Sequence, residues 1–388
     1  MIRGDNGMDF TKVTNYLDSL KDVGIPGADL AIYIKGKEVY RHYTGFANIE
    51  TQKTIDAKTI YPIWSMTKIV TCVAALQFYE KGVFLLKDNI SDYLPEFKNM
   101  EVRHVLENGE VHVKPATNPI KIVDLFTMSS GMSYDFSEHL VKLYEKTKGN
   151  YTLKEFSEAI SKDPLHFEPG THWHYSFSHD ILGRLVEVLS GKTLGEYFYE
   201  NIFAPLGMND TFFRIPEDKE ERKVSCYEYD ENKKSHSLTK STLLRHDRGY
   251  KFESPGGGLL STVDDYAKFA NALCLELSDC CTENHKLLSK ATLELMRTNH
   301  LDDVRYKEYN NWLHTRGYGY GLGVRTLVDR AAGGSNSYVG EFGWAGMMGN
   351  YVVMDPAIDL TYVYAQQLFP SKEGYVAPRL RNVIYGCL

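Results

Sequence analysis

Pro62-Ile63-Trp64-Ser65-Met66-Thr67-Lys68-Ile69-Val70-Thr71-Cys72-Val73-Ala74-Ala75-Leu76 is the stretch on which the reading of this chain turns. Proline and tryptophan lead into a serine. Apolar residues then recur at Met66, Ile69, Val70, Val73, Leu76 and Phe78, the spacing of one helical face. Residues three apart on a helix are neighbours, so Ser65 and Lys68 lie side by side at its start. A serine hydroxyl is a weak nucleophile until an adjacent base takes its proton, and a desolvated lysine is such a base. The first helical turn adds unpaired N–H groups for a forming oxyanion, and its positive end favours a neutral amine. The plainer alternative is an N-cap serine followed by a solvated lysine. The spacing also occurs a second time, in Ser237-Leu238-Thr239-Lys240. That copy lies in a polar stretch with no apolar helical run behind it and is read as coincidence.

Composition narrows the classes. The chain has 388 residues, 43% hydrophobic and 24% charged, enough for a large core in one big domain or two. A formal net charge of -7 argues against a general nucleic-acid binder. No run approaches the ~18 apolar residues of a membrane span. The opening Met1-Ile2-Arg3-Gly4-Asp5-Asn6-Gly7 lacks the apolar core of a secretory signal, so the expectation is a cytoplasmic protein unless a leader has been removed. The six cysteines (Cys72, Cys226, Cys274, Cys280, Cys281 and Cys387) form no Cys-x-x-Cys and are too sparse for a disulfide scaffold. They read as ordinary thiols of a reducing compartment.

Strand signals stand at both ends of the chain and helical ones between. A helix over 10–20 precedes the breakers Gly24-Ile25-Pro26-Gly27, and a hairpin follows, 30–34 and 38–43 around Lys35-Gly36-Lys37. A second hairpin turns at Asn108-Gly109. Helical segments are then expected at 122–128, 153–160, 178–189, 194–202, 263–275 and 290–297. The charge run 217–223 is a solvated face. From Tyr318-Gly319-Tyr320-Gly321-Leu322-Gly323-Val324-Arg325 the strand pattern returns, with glycines marking close backbone approach rather than a nucleotide loop. Strands at 351–354 and 360–365 and a helix over 376–385 close the chain.

A second polar group is needed to carry a proton to a leaving group. After the turn Phe167-Glu168-Pro169-Gly170 comes His172-Trp173-His174-Tyr175-Ser176-Phe177, where Tyr175 can act as general acid/base beside a lysine ammonium. Taken alone, one of 27 tyrosines is more often packing. His172 and His174 alternate as metal ligands could on one strand face, but no third ligand stands nearby.

Taken together, Ser65-Met66-Thr67-Lys68, Phe167-Glu168-Pro169-Gly170 leading to Tyr175-Ser176, and Gly343-Trp344-Ala345-Gly346 resemble the class C β-lactamase family, which includes DD-peptidases and serine esterases. Ser130-Gly131, Pro255-Gly256-Gly257-Gly258-Leu259 and Asp355-Pro356 support it, in order, across nearly the whole chain. The resemblance implies an α+β, β-lactamase/transpeptidase-like fold. Its antiparallel sheet is built from both chain ends, with flanking helices and an inserted, mostly helical lobe. The expected organisation is a single catalytic domain over 1–388, with an α/β lobe at 1–94 and 301–388 and a helical lobe at 95–300. By resemblance, Ser65 is the nucleophile, Lys68 its partner and Tyr175 the general acid/base. The amides of Ser65 and Met347 form the oxyanion hole, and no metal or cofactor takes part.

Two departures bear on substrate. The family's β-lactamases and DD-peptidases usually carry asparagine two residues after the tyrosine, where this chain has Phe177. Their third motif usually begins with lysine or histidine, where this chain has Trp344. Aromatic surface thus replaces the partners of a substrate carboxylate, which favours the esterase branch (family VIII carboxylesterases) and a small-molecule ester. Trp344, Ala345, Gly346 and Phe177 are expected to touch substrate. Arg325, if it reaches in from a neighbouring strand, keeps a D-alanyl peptidase, amide hydrolase or weak β-lactamase open. A non-catalytic binding module is the remaining alternative; the Gly-x-Ser-x-Gly elbow of α/β-hydrolases is absent.

Overall fold

Strands from the two ends of the chain do meet in one antiparallel sheet. The computed structural model describes residues 8–135, 137–239, 249–278, 286–313 and 315–388. Numbered along the chain, the main-sheet strands are β1 (Gly27–Ile34), β2 (Lys37–Asn48), β3 (Lys53–Thr54), β4 (Tyr318–Tyr320), β5 (Arg325–Leu327), β6 (Phe342–Ala345), β7 (Tyr351–Asp355) and β8 (Leu360–Gln366). Their spatial order is β4-β5-β6-β7-β8-β1-β2-β3. The ends join where β1 pairs with β8, Leu30 opposite Tyr364 and Ala31 opposite Val363.

Five helices frame this sheet and the site: α1 (Thr11–Ser19), α2 (Thr67–Glu80), α3 (Ser178–Ser190), α4 (Val263–Leu277) and α5 (Glu373–Tyr385). Side chains alternate across a strand, and the sequence obeys that period. Leu30, Ile32, Tyr351, Val353, Tyr362 and Tyr364 pack with Val13, Leu17, Leu380 and Ile384 of α1 and α5. Ala31, Val352, Met354, Val363 and Ala365 face the larger core, which holds α2, α3 and α4. Helix α4 starts where the Thr262 hydroxyl accepts the Asp265 N–H at 3.1 Å. Although α4 falls within the stretch 95–300, it lies against β1, β7 and β8.

Two expectations change in detail. Helix α2 was expected to bury one face, yet Thr67 through Leu76 and Phe78 are all buried. It runs through the core and is covered on every side, as a helix that is apolar all round must be. The glycine-rich stretch 318–325 is a hairpin rather than one strand: the Gly321 N–H donates to Val324 O at 2.8 Å. A Cβ on Gly321 would lie 2.1 Å from Met296 O, so close backbone approach is the reason for that glycine.

Between the sheet strands, Leu153–Ile160 and Lys290–Arg297 are helical as expected, and Glu101–Val105 pairs with Val111–Pro115. Helices Glu138–Thr147 and Asp303–Asn310 had not been read from the pattern. In the decoy motif, Ser237 sits on the exposed strand Ser235–Leu238 and Lys240 lies outside the described residues, as do Cys280 and Cys281. Among the described residues, no helix is long and apolar enough to cross a membrane.

Candidate active site

Between Thr59 and Leu76, Ser65 is the one residue that is not buried. It lies in a single 3-10 turn, Trp64–Met66, that runs directly into α2. Its predecessor Trp64 has φ +50°, a left-handed conformation that costs a β-carbon-bearing residue about 1–2 kcal/mol. Burial holds it there, with the indole N–H donating to Gln367 Oε1 at 3.2 Å. The amide of Gln367 also donates to Pro62 O at 3.0 Å, and that of Asn350 to the same oxygen at 2.8 Å. Buried side-chain amides from the end of the chain thus fix the backbone that presents the serine.

Lys68, 1% exposed, donates to Ser65 Oγ at 3.2 Å and to the Gly256 carbonyl. Its Nζ also lies 5.7 Å from the Tyr134 ring centroid. Burial alone would pull its pKa down, but the phenol oxygens of Tyr134 and Tyr175 and the Asp180 carboxylate outweigh burial and hold it above the ordinary lysine value. That direction favours the charged amine, where the helix start alone favoured a neutral one. The residues that keep it charged come from distant parts of the chain.

Gly256 belongs to the loop 254–259, which is laced onto α2 and α3. Pro255 O accepts the Thr71 hydroxyl at 2.8 Å, and Ile63 N donates to Leu259 O at 3.0 Å. From α3, Asp180 accepts Gly256 N–H and Ser254 Oγ, both at 3.2 Å. Burial, offset in part by Lys68 and these bonds, raises the Asp180 pKa to about 6. The unfolded carboxyl ionises near 3.9, so the folded state holds an extra proton between about pH 4 and 6, and stability falls as pH rises through that window. Above it, the carboxylate faces Lys68. We expect kcat/KM to fall on the acid side with an apparent pKa near 6, and Asp180→Asn to be flat from pH 5 to 7 at the depressed level. A pH–rate profile and melting curves of both proteins check this; an acid limb that survives in Asp180→Asn excludes Asp180 as its source.

Tyr175 precedes α3 and turns its ring to Lys68, whose Nζ lies 4.8 Å from the ring centroid. Its hydroxyl oxygen accepts the Trp344 indole N–H at 3.3 Å. Trp344 is on β6, and after Ala345 the chain makes a tight turn, Gly346 N donating to Asn350 O at 2.6 Å and Gly349 N to Gly346 O at 2.9 Å. A Cβ on Gly346 would meet Ile63 O at 2.6 Å and Trp64 Cβ at 3.2 Å. The turn carrying the half-buried Met347 is therefore seated on the residues that precede Ser65. A methyl at Gly346 must push the two apart, and Gly346→Ala is expected to lower kcat by about 100-fold with the smaller share of the effect in KM. Steady-state kinetics check the split; a change confined to KM would disconnect this turn from the reacting centre.

The structure thus brings Ser65, Lys68, Tyr175, Trp344 and the turn 345–347 together. Phe177, partly buried, packs its ring on Tyr134 at 4.5 Å between centroids and on Phe156 at 5.1 Å. Arg325 is corrected: it does not join the site. Register pairs it with Gly343, one residue before Trp344, so its side chain projects from the opposite face of the sheet. There it lies 3.7 Å from Glu341 and over the Tyr318 ring, by the small cavity beside α5. His172 pairs with Glu308 at 2.6 Å and His174 stacks on His166. Sequence reasoning missed Tyr134, Asp180 and Trp312. Gly256 stood inside a quoted motif and Asp180 three residues beyond another, but nothing set Tyr134 apart from the other tyrosines.

Residues 13–385 match the protein family described as Beta-lactamase. The chain is similar to Protein Rv1367c of Mycobacterium tuberculosis, 29% identical over 368 residues that span 90% of this chain and 88% of the relative. It is similar to Esterase EstB of Burkholderia gladioli, 24% identical over 389 residues, 95% of this chain and 92% of that one. Among solved structures it is similar to EstCE1, described as a hydrolase with promiscuous acyltransferase activity, with a TM-score of 0.78, 23% identity and coverage of 97% and 98% of the two chains.

Proposed function

This chain belongs to the β-lactamase family of serine hydrolases, and from that premise we propose that it is an esterase of small carboxylic esters, working through an acyl-enzyme on Ser65. Its architecture is the β-lactamase/transpeptidase-like α+β fold, and its homologues include esterases and acyltransferases. One observation carries the ester reading. Where a carboxylate-binding lysine or histidine would open the third motif, Trp344 instead donates its indole N–H to the Tyr175 oxygen. Lys68 is engaged by Ser65 and the Gly256 carbonyl, and Arg325 is turned to Glu341 on the other face. Among these described residues, a β-lactam or a peptide C-terminus would find no free cation for its carboxylate, whereas a neutral ester needs none.

The chemistry follows from these positions. The ester carbonyl oxygen takes the amides of Ser65 and Met347, each worth about 3 kcal/mol to the transition state. Lys68 donates to Ser65 Oγ and has no lone pair with which to accept, so the serine proton passes to the Tyr175 oxygen as Tyr175 gives its own to the departing alkoxide. The Oγ–C bond forms, the C–O bond breaks, and a neutral alcohol leaves. Water repeats the sequence in reverse: its proton returns through Tyr175 to Ser65 Oγ, and the carboxylic acid is released. Lys68 stabilises the negative charge that passes between the oxygens.

The test is a panel of p-nitrophenyl butyrate, nitrocefin and a D-alanyl-D-alanine peptide, with intact mass measured after penicillin treatment. Ester kcat/KM is expected to exceed the other two by about 100-fold or more, with no stable penicillin adduct. Comparable turnover of nitrocefin or the peptide, or a lasting adduct, would replace the ester reading with the β-lactam or peptidase one.

A further inference from the structure

We propose that Trp312 and Trp344 make the leaving-alcohol side of the site a binding surface for a neutral, flat aromatic group; this rests on the esterase reading above. In that reading Tyr175 protonates the departing oxygen, so whatever surrounds the Tyr175 hydroxyl touches the alcohol half of the ester. One indole reaches that hydroxyl and a second lies against the tyrosine's ring. The Trp312 ring centroid lies 4.9 Å from the Tyr175 ring, and Trp312 is nearly parallel to Trp344, at 8° and 6.1 Å. Trp344 supplies the N–H to the phenol oxygen. Trp312 is half-buried, so part of its surface remains open above the pair, and Trp173 backs it at 5.1 Å.

This surface is held in place. Trp312 follows the helix Asp303–Asn310, whose Glu308 accepts the Trp173 N–H at 2.8 Å and pairs with His172. The segment that carries Tyr175 and the helix that leads into Trp312 are thereby tied together. Parallel indoles favour offset stacking with a further flat ring, beyond the area such a ring buries. An aromatic cluster also attracts cations, but here the Lys68 ammonium already lies 4.8 Å from the Tyr175 ring, and like charge disfavours a second cation beside it. A neutral aryl group fits; a quaternary ammonium does not.

The experiment compares butyrate esters of 2-naphthylmethanol, ethanol and choline, the first two being alcohols of similar acidity. Wild type is expected to favour the naphthylmethyl ester over the ethyl ester by about tenfold or more in kcat/KM, and the choline ester least. Trp312→Ala should collapse the naphthylmethyl-to-ethyl ratio to within about twofold, and Trp312→Phe should keep most of it. A ratio that survives Trp312→Ala, or a preference for choline, overturns the inference while leaving ester hydrolysis standing. If no ester is cleaved the esterase reading falls, and binding decides the inference. In a Ser65→Ala background, fluorescence titration with 2-naphthylmethanol should weaken about tenfold on adding Trp312→Ala, and equal affinities overturn it.

Discussion

Ser65→Ala is expected to lower kcat/KM for p-nitrophenyl butyrate by about 10⁴-fold or more, the largest effect of any single substitution in this chain. In the mechanism proposed above, the hydroxyl it removes is the group that bonds to the acyl carbon. What remains, the amides of Ser65 and Met347 and the apolar surface, can bind an ester without offering it a nucleophile. The fold has little stake in that hydroxyl: Ser65 is half-exposed, and Lys68 keeps the Gly256 carbonyl as an acceptor. Melting temperature should therefore stay within about 2 °C of wild type, the range of substitutions outside the packed core. Initial rates and a brief acylation followed by intact-mass measurement separate the outcomes. A variant that keeps activity within tenfold, or still gains the mass of a butyryl group, places the nucleophile elsewhere.

The amino-acid sequence was legible where local pattern and long-range packing agree. Strands β7 and β8 are runs of β-branched and aromatic residues that period-2 alternation assigns to two buried faces, and the structure buries both. The site's first motif was legible because Ser65 and Lys68 are neighbours on the chain. Three particulars were not, each for a physical reason. The charge of Lys68 depends on Gly256, Tyr134 and Asp180, contacts made by loops and a helix far away in sequence. The orientation of Arg325 depends on strand register, and a shift of one residue would have turned it toward Trp344. Trp312 follows a helix, Asp303–Asn310, whose residues are too polar to show a helical stripe; its closure over Tyr175 is a tertiary event. The Ser237 copy shows the converse: the right spacing begins on an exposed strand, where no helix start stands behind the serine.

Lys68→Met, which keeps the length of the side chain and removes its charge, should lower kcat/KM by about 10³-fold or more, with the loss mainly in kcat. In wild type the ammonium holds the Ser65 oxygen in place and faces both phenols, so negative charge moving among those oxygens is stabilised throughout the transfer. Methionine offers none of this, and Ser65 loses its fixed donor. The same substitution carries a signature that a packing defect lacks. Lys68 is one of the groups that lower the Asp180 pKa against burial, so without it that pKa rises above about 6. At pH 5 the carboxyl is largely protonated in both proteins, and the difference in stability is small. At pH 8 wild type keeps a buried carboxylate facing an ammonium, whereas the variant must either protonate Asp180 or bury its charge alone. The melting-temperature deficit of Lys68→Met should therefore widen from pH 5 to pH 8. A cavity or overpacking effect would be equal at both, because methionine does not titrate. A deficit independent of pH, or a variant within tenfold of wild-type activity, would mean that Lys68 fills space rather than supplies charge, and the ammonium assignment would fall with it.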